Sequence, residues 1–328
     1  MEQNISRTFL DFERPIGELM ARIDDLRLLS NKSDINISSE INRLEDEARN
    51  LTTRIFAKLT PWQKTLLSRH PDRPYSTDYL NRVFVGFREL HGDRHFGDDK
   101  AIIGGLAAID GIDVMVICQE KGRGTKERVL YNFGMPRPEG YRKALRLMKL
   151  AEKFRLPVVT LIDTPGAYPG KEAEERGQSE AIARNLKEMV ALRTPVVCVV
   201  IGEGGSGGAL ALGVGNRVLM MQYAIYSVIS PEGCASILWK DSAKAELAAE
   251  ALRITAEEIM ELGLIDGIIP EPIGGAHRQF DQAAETMKMH IARHLRELSG
   301  YSPEQLAAER FKKFMAMGVV LEGERPPA

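Results

Sequence analysis

The residues best placed to do chemistry follow the most apolar run of the chain. Residues 194–201 are rich in β-branched side chains and predict a buried strand. Residues 202–208, GEGGSGG, are expected to form a loop that leads into Ala-Leu-rich sequence typical of a helix. Glycines let backbone N–H groups approach a ligand because no Cβ is in the way. A helix N-terminus adds unpaired donors and partial positive charge. The pattern therefore predicts a place to hold an anion.

Two nucleotide-binding interpretations of this segment lack a necessary residue. The spacing of Gly202, Gly204 and Gly207 matches the dinucleotide fingerprint, which also needs an acidic residue about twenty positions later to hold the ribose. Residues 207–230 contain no Asp or Glu. A phosphate-binding P-loop needs a lysine before its Ser or Thr, and none stands after Gly207.

Three other interpretations stay open on spacing alone. Gly204, Ser206 and Gly208 match the nucleophile elbow of serine hydrolases, with Asp266 and His277 following in the required order. Alternatively, backbone amides form an oxyanion hole with no side-chain nucleophile, which explains why glycines dominate. The third interpretation is a glycine-rich turn that only allows a helix and a strand to pack closely.

Composition limits the class of protein. The chain has 328 residues and a net charge of −2, which gives no general attraction to nucleic acid or anionic membranes. Its three cysteines, Cys118, Cys198 and Cys234, form neither a zinc pattern nor a disulfide framework, as suits a reducing cytosol. No segment carries the apolar length of a membrane span or the layout of a signal peptide. We expect a cytoplasmic protein without membrane contact.

The segments around the glycine run divide into three regions. Residues 1–75 are charged and are expected to be helical. Between Ile41 and Leu59, apolar side chains recur at three- and four-residue steps and form a stripe that needs a partner surface. Residues 69–74 are expected to form a linker. Residues 76–300 form the main domain. Residues 301–328 form a C-terminal helix and a disordered tail. We expect the first region to contact another subunit.

The main domain alternates strands with helices. Asp110 and Gly111 between two β-rich runs predict a hairpin. A helix over 139–154 precedes a buried strand at 158–163, and a helix over 172–192 precedes the strand that feeds the glycines. A strand pair is expected within 217–229 and a short strand within 263–270. This order indicates an α/β fold whose strands are buried on both faces.

Residues 121–155 are strongly basic, with eleven Lys or Arg against three Glu. Such a segment could meet the phosphates of a cofactor or nucleic acid, or contact a carrier protein. The alternative is a solvated helix face for about half of these residues. Aromatic residues are sparse among them, which argues against single-stranded RNA.

Six sequence blocks resemble the α subunit of the bacterial and plastid acetyl-CoA carboxylase carboxyltransferase. They are FLDFE at 9–13, NFGMPRPEGYRKA at 132–144, DTPGAYPG at 163–170, ERGQSEAIA at 175–183, GEGGSGGA at 202–209 and SPEGCASILWK at 230–240. The likeness covers nearly the whole chain and is loose at 255–261, at 279–300 and at the C-terminus. Blocks of this length make it specific.

The resemblance implies a crotonase-like α/β fold, a spiral of ββα units with an N-terminal helical extension. It implies two α and two β subunits, working with a biotin carboxyl carrier protein and a biotin carboxylase. The reaction moves a carboxyl group from N1 of carrier-bound biotin to the methyl carbon of acetyl-CoA and gives malonyl-CoA for fatty acid synthesis. In this family zinc and most CoA contacts belong to the β subunit, so no metal is expected on this chain.

The resemblance also implies how the glycines work. Negative charge develops on the biotin carbonyl and on the thioester oxygen, and each subunit supplies one oxyanion hole. By position, Gly207 and Gly208 are the first choice for the hole on this chain, which the resemblance assigns to the biotin carbonyl. Gly204 and Gly205 support them.

Two further expectations concern the surroundings of that hole. Gly166 and Ala167, which follow the preceding strand, should line the same cleft and bind substrate. No side-chain base is required, because in this family the biotin nitrogen takes the methyl proton. Glu203 is therefore expected to orient the glycine segment.

Overall fold

The structure, a computed structural model, describes residues 8–30 and 38–318. The disordered tail predicted for the C-terminus lies outside the described residues. The helices are α1 Arg14–Ser30, α2 Ser38–Phe56, α3 Pro61–Ser68, α4 Ser76–Val83, α5 Gly124–Leu130, α6 Pro138–Phe154, α7 Lys171–Glu175, α8 Gln178–Ala191, α9 Ser206–Leu210, α10 Pro231–Trp239, α11 Ala245–Leu252, α12 Ala256–Glu261, α13 Phe280–Leu298 and α14 Pro303–Met315. The strands are β1 Val85–Glu89, β2 Ile102–Ile109, β3 Ile112–Gln119, β4 Val158–Thr164, β5 Val196–Gly205, β6 Arg217–Met221, β7 Ile225–Ser227 and β8 Gly267–Ile269.

All eight strands join one sheet in the order β1-β2-β3-β4-β5-β6-β8, with β7 pairing to β5. The first three strands are antiparallel and the others run parallel. The predicted hairpin is confirmed: Asp110 and Gly111 both have positive φ, 52° and 79°, between the paired Ile109 and Ile112. Positive φ at both central residues is what a type I′ turn requires.

The centre of the sheet is buried on both faces, as expected for parallel strands. Every residue of β4 is buried, and so is β5 as far as Gly204. Helix α6 packs on β2 and β3 through Tyr141, Leu147 and other apolar side chains. It begins with Pro138, whose fixed φ suits a first helical position, and ends at Arg155, which has a left-handed φ of 57°.

Two predicted elements differ from the observed ones. The helix expected over 172–192 is broken into α7 and α8 because Gly177 adopts a φ of 82°, which a helix does not accommodate. The strand pair expected within 217–229 is wrong as a pair: β6 and β7 each run parallel to β5 and do not pair with each other. Strand β7 instead extends the sheet beside the last residues of β5.

The apolar stripe of α2 has a partner within this chain. Leu44 and Ala48 are buried against Ile23 of α1, and farther along, Leu51 and Ile55 pack in a second cluster with Ile16. Of the two partner surfaces that the pattern allows, the body of this chain or another subunit, the structure shows the first, because α1 and the body of the chain cover the stripe. In the described part of the chain no helix combines the length and apolarity needed to cross a bilayer.

The C-terminal helix is fixed to the sheet domain by one buried arginine. Arg310 of α14 is fully buried and donates hydrogen bonds to the carbonyls of Met189, Leu192 and Thr194 at 2.7–2.9 Å. These carbonyls lie in the last turn of α8 and in the segment before β5, where backbone groups have few partners from regular helix or strand pairing. Helix α14 therefore belongs to the packed body.

Candidate functional site

The glycine segment is an extended strand that ends in a sharp bend. Strand β5 continues to Gly205, with Gly204 paired to Thr164 of β4 and to Tyr226 of β7. Gly204 and Gly205 therefore belong to the sheet, which corrects the expectation of a loop over 202–208. Ser206 then turns the chain with a φ of 51° and starts α9. Because N–H groups in the first turn of a helix lack intrahelical partners, Gly207 and Gly208 carry the available donors.

The helix that follows the bend is shorter than the sequence indicates. Helix α9 has five residues. So short a helix has only a small dipole, because aligned peptide units make the dipole. The local N–H groups, and not the charge of a long helix, give this bend its affinity for an anion.

The turn after β4, which contains Gly166 and Ala167, lies directly against the bend. A Cβ added to Gly208 would lie 2.7 Å from the nitrogen of Ala167, and one added to Gly205 would lie 2.8 Å from the nitrogen of Gly166. Real Cβ atoms do not approach backbone that closely, so both positions require glycine for packing. Close packing thus explains the absence of a side chain at Gly205 and Gly208.

Gly207 has no such packing requirement. A Cβ there would have Ile182 as its nearest neighbour, at 3.5 Å, which is ordinary van der Waals contact. The backbone at Gly207 is also outside the left-handed region. Close packing therefore does not explain this glycine, and open space beside a free N–H group is what a ligand needs.

A buried charge network surrounds the end of β5. The Lys121 ammonium donates to Asp163 at 2.7 Å and to Glu203 at 2.6 Å, and Arg69 donates to the other oxygen of Glu203 at 2.6 Å. Asp163 also accepts the backbone N–H of Glu203 at 2.9 Å. Arg69 continues the network to Glu232 at the start of α10.

The network keeps Glu203 ionised. Burial alone would raise the pKa of Glu203, but the charges and hydrogen bonds of Lys121 and Arg69 outweigh it and hold the pKa below its ordinary value. The pKa of Lys121 is raised, because its two carboxylate partners outweigh burial. A carboxylate held in this way is a weak base. Its contacts are those of a side chain that fixes the strand end.

Gln119 links this network to α9. Its side chain is fully buried at the end of β3, its Nε2 donates to the carbonyl of Gly208 at 2.7 Å, and its Oε1 accepts the N–H of Asp163 at 3.2 Å. Gln119, Asp163 and Glu203 stand near the carboxyl ends of three adjacent strands that run parallel. Sequence analysis missed Gln119, Lys121 and Arg69. Polar residues at strand ends were the available signal, because ligands bind at that edge of α/β sheets.

A cavity of about 230 Å³ opens beside the bend. Arg69, Lys121 and Glu203 line its charged side, and Pro165 and Phe133 line its apolar side. Phe133 is half exposed and has a left-handed φ of 56°, which directs an aromatic ring to the surface at this point. The cavity therefore offers both polar and apolar contacts next to the bend.

A hydrolase triad is absent from the described residues. Ser206 has the strained backbone of a nucleophile elbow, but Asp266 accepts from Lys313 and from the N–H of Val218, while His277 bonds to Glu13. These partners leave Ser206 with neither an acid nor a base, so the nucleophile interpretation is wrong for this structure.

The histidine takes part in a buried cluster elsewhere. Among the described residues Glu13, His70 and His277 lie close enough to hold a metal ion. However, His70 Nδ1 accepts the backbone N–H of Asp72 at 3.1 Å, whereas a metal on Nε2 would need a proton on Nδ1. Arg278 also donates a hydrogen bond to the Glu13 carboxylate at 2.8 Å. The cluster therefore fits a hydrogen-bonded link between the N-terminal segment and the body.

Most of the basic segment is neutralised within the chain. Seven of its eleven cations make ion pairs or donate to backbone carbonyls: Lys121, Arg123, Arg137, Arg142, Lys143, Arg146 and Lys149. Lys143 is fully buried. The other four are exposed and dispersed: Lys126, Arg128, Lys153 and Arg155. Arg123 is exposed as well, so about half of these residues lie on a solvated face, as the sequence indicated.

Comparison with solved structures identifies the fold. The transcarboxylase 12S core superposes with a TM-score of 0.57 at 17% identity, covering 71% of this chain and 44% of that one, so the chain spans less than half of its length. A Pseudomonas malonate decarboxylase hetero-dimer gives a TM-score of 0.52 at 16% identity, covering 67% and 89%. The fold is the crotonase-like fold of the carboxyltransferases, as predicted.

Sequence comparison identifies the family. A model described as acetyl co-enzyme A carboxylase carboxyltransferase-like matches residues 9–318. A protein of Methylococcus capsulatus, named acetyl-coenzyme A carboxylase carboxyl transferase subunit alpha, is 63% identical over 96% of this chain and 98% of its own length. One of the same name from Halorhodospira halophila is 59% identical over 96% and 99%. The chain belongs to the family of acetyl-CoA carboxylase carboxyltransferase alpha subunits, which confirms the resemblance.

Proposed function

We propose that this chain is the half of a carboxyltransferase that receives the carboxyl group from biotin. The group leaves N1 of biotin, borne by a biotin carboxyl carrier protein, and is joined to the methyl carbon of acetyl-CoA to form malonyl-CoA. The observation that carries the proposal is full-length similarity to proteins named as this subunit. The geometry at the end of β5 supports it and suggests the mechanism.

The bend supplies donors to an oxygen that becomes negative. When the N1–carboxyl bond breaks, its electron pair stays with biotin, charge collects on the urea oxygen, and N1 takes the methyl proton of acetyl-CoA. The N–H groups of Gly207 and Gly208 stabilise that oxygen. Strand pairing fixes Gly204 and Gly205 behind them, and the turn at Gly166 supports the opposite side. Losing one such donor typically costs about 2.7–4 kcal/mol of transition-state stabilisation.

The charged side chains at the site hold the scaffold. Glu203 is ionised and accepts from Lys121 and Arg69, so its proton affinity is too low for it to act as the base. Asp163 accepts from Lys121 and from the N–H of Glu203 through its Oδ1, and these bonds tie it to the end of β5. The chain thus needs no catalytic carboxylate, in agreement with a proton taken by the biotin nitrogen.

The proposal requires other proteins. A β subunit would supply the second oxyanion hole for the thioester oxygen, the zinc ribbon and most CoA contacts, in an α2β2 assembly. A biotin carboxylase would load the carrier in the full complex, in the cytoplasm. This chain alone offers one set of amide donors, whereas the reaction develops charge on two oxygens.

Reconstitution tests the proposed function. The purified chain should form no malonyl-CoA from acetyl-CoA and carboxylated carrier, because half of the site is missing. Adding the β subunit of the same organism should restore turnover, and each subunit alone is the control. Substantial malonyl-CoA formation by the single chain would overturn the divided site, and an inactive but assembled complex would overturn the activity.

A further inference from the structure

Gln119 occupies a position that the reaction itself does not explain. It is the last residue of β3, and its backbone carbonyl accepts from the Ser76 hydroxyl at 2.7 Å. The side chain has no exposed surface, so it does not touch a substrate. Burying a carboxamide is costly unless its donor and acceptor are used, and here both are used on backbone groups.

The orientation of this carboxamide follows from its partners. The N–H of Asp163 can only donate and the carbonyl of Gly208 can only accept, so the Oε1 faces β4 and the Nε2 faces α9. The hydrogen bond to Gly208, at 2.7 Å, is short for an N–H donor. One side chain therefore connects the strand that carries Asp163 to the first turn of α9.

Helix α9 depends on such connections. A helix of five residues has little stability of its own, because the first turn is the costly step in helix formation. Two other buried side chains bind its far end: Thr160 donates to Leu212 O at 2.8 Å, and Asn185 donates to Ala211 O at 3.2 Å. Gln119 alone among these three binds the end that carries the N–H donors.

We propose that Gln119 is a positioning residue that fixes the amides of Gly207 and Gly208 towards the urea oxygen of biotin. Holding the Gly208 carbonyl fixes the planar peptide that it shares with the Ala209 N–H. The Gly208 N–H lies in the preceding peptide, which is joined at the Gly208 Cα, so the bond restricts it through the φ and ψ of that residue. This inference rests on the proposed function. Preorganised donors act on charge that develops in the transition state, so their misalignment lowers kcat and leaves substrate binding largely intact.

The test uses the complete α–β complex and two matched variants. Gln119→Met keeps a similar side-chain length and removes both the donor to Gly208 and the acceptor for the N–H of Asp163. Thr160→Val removes a buried donor to the carbonyl at the opposite end of α9, at a residue that is also fully buried. We expect Gln119→Met to lower kcat by about tenfold or more with both KM values within about twofold, and Thr160→Val to lower kcat by less than about threefold.

A second variant, Gln119→Glu, tests the pH dependence of kcat, which a purely structural role for Gln119 would not change. In Gln119→Glu the protonated carboxyl can still donate to Gly208, whereas the carboxylate cannot. Burial beside Asp163 raises the pKa of such a group, so the ratio of variant to wild-type kcat should rise as pH falls. This variant also keeps the test open if Gln119→Met does not assemble.

The outcomes separate this inference from the proposed function. An inactive wild-type complex would refute the function itself. With an active wild type, unchanged kcat in Gln119→Met, equal losses in Gln119→Met and Thr160→Val, or a rise in KM alone would each overturn the role of Gln119. Failure of both Gln119 variants to assemble would show a purely structural residue and would overturn it as well.

Discussion

At the scale of single residues, the glycines of the bend have different neighbours and therefore different roles. Gly205 and Gly208 face the backbone of the turn that follows β4, so a side chain on either would displace that turn. Gly207 faces open space, with Ile182 at van der Waals distance. Gly207 can thus be changed to a larger residue without disturbing the packing. Substitution there separates a role in catalysis from a role in packing.

Gly207→Ala and Gly208→Ala make this separation measurable. Gly207→Ala should assemble with the β subunit and keep its melting temperature, but its added methyl narrows the space beside the donors, so kcat/KM for the carboxyl donor should fall about tenfold or more. Gly208→Ala should lose roughly 1–3 kcal/mol of stability, because its methyl meets backbone at 2.7 Å. A fully active Gly207→Ala complex would leave the glycines with a packing role only.

At the scale of elements, short segments at the site are held by side chains from other elements. Helix α9 depends on Gln119, the end of β5 depends on Lys121, and the N-terminal segment is linked to the body by Glu13. These contacts join residues far apart in sequence. A change in charge at one of them should therefore loosen a whole element.

The link at Glu13 predicts release of the N-terminal segment in acid. Burial lowers the pKa of His70 to about 4 when the N-terminal segment is docked. Between pH 6.5 and 4, the form with the segment released therefore binds a proton that the docked form does not. Docking of the segment weakens as pH falls through this range. Burial would raise the pKa of Glu13, but hydrogen bonds, first from His277, lower it to about 2. Docking of the N-terminal segment therefore weakens further as pH falls below 4.5.

Hydrogen exchange measures this release. Once corrected for the intrinsic effect of pH, exchange in α1 should rise from pH 7 to pH 4, while α6, which the cluster does not touch, serves as the control. Glu13→Gln should abolish the part of the increase in α1 exchange that occurs below pH 4.5. Unchanged protection of α1 over this range would refute the role of the cluster.

At the scale of the whole molecule, two surfaces that the sequence left unpartnered, the stripe of α2 and much of the basic segment, have partners within the chain. Helix α1 covers the stripe of α2, and the basic segment is paired with acidic residues around Asp93, Asp98 and Asp163. Reversing the charge of Lys143 would therefore break a buried pair and unfold the region before it altered any RNA contact. The divided reaction is the reason to expect a β subunit.

Much of the fold follows from local sequence signals. The hairpin at Asp110, helix α6 and the buried strands were predictable because turn residues, X-Pro steps and β-branched runs act locally. The break at Gly177 was missed because a left-handed glycine inside a helical pattern is decided by tertiary packing. Strand β7 was misassigned because its partner, β5, is some twenty residues away.

The site was predictable only in part. The glycine motif indicated donors for an anion, and the family resemblance indicated which anion. Sequence alone could not show that Gly208 is required for packing or that Gln119 reaches it, because both facts depend on which strand ends meet. For the same reason Lys121, Asp163 and Arg69 lay in three separate motifs until the fold brought them together.

The central claim is that backbone amides at the start of α9 stabilise the urea oxygen of biotin. A crystal structure of the α–β complex with biotin bound tests it most directly. The account predicts the urea oxygen at about 2.7–3.1 Å from the nitrogen of Gly207 or Gly208, with the N–H directed at it. A urea group bound away from this bend, or amides directed elsewhere, would contradict it.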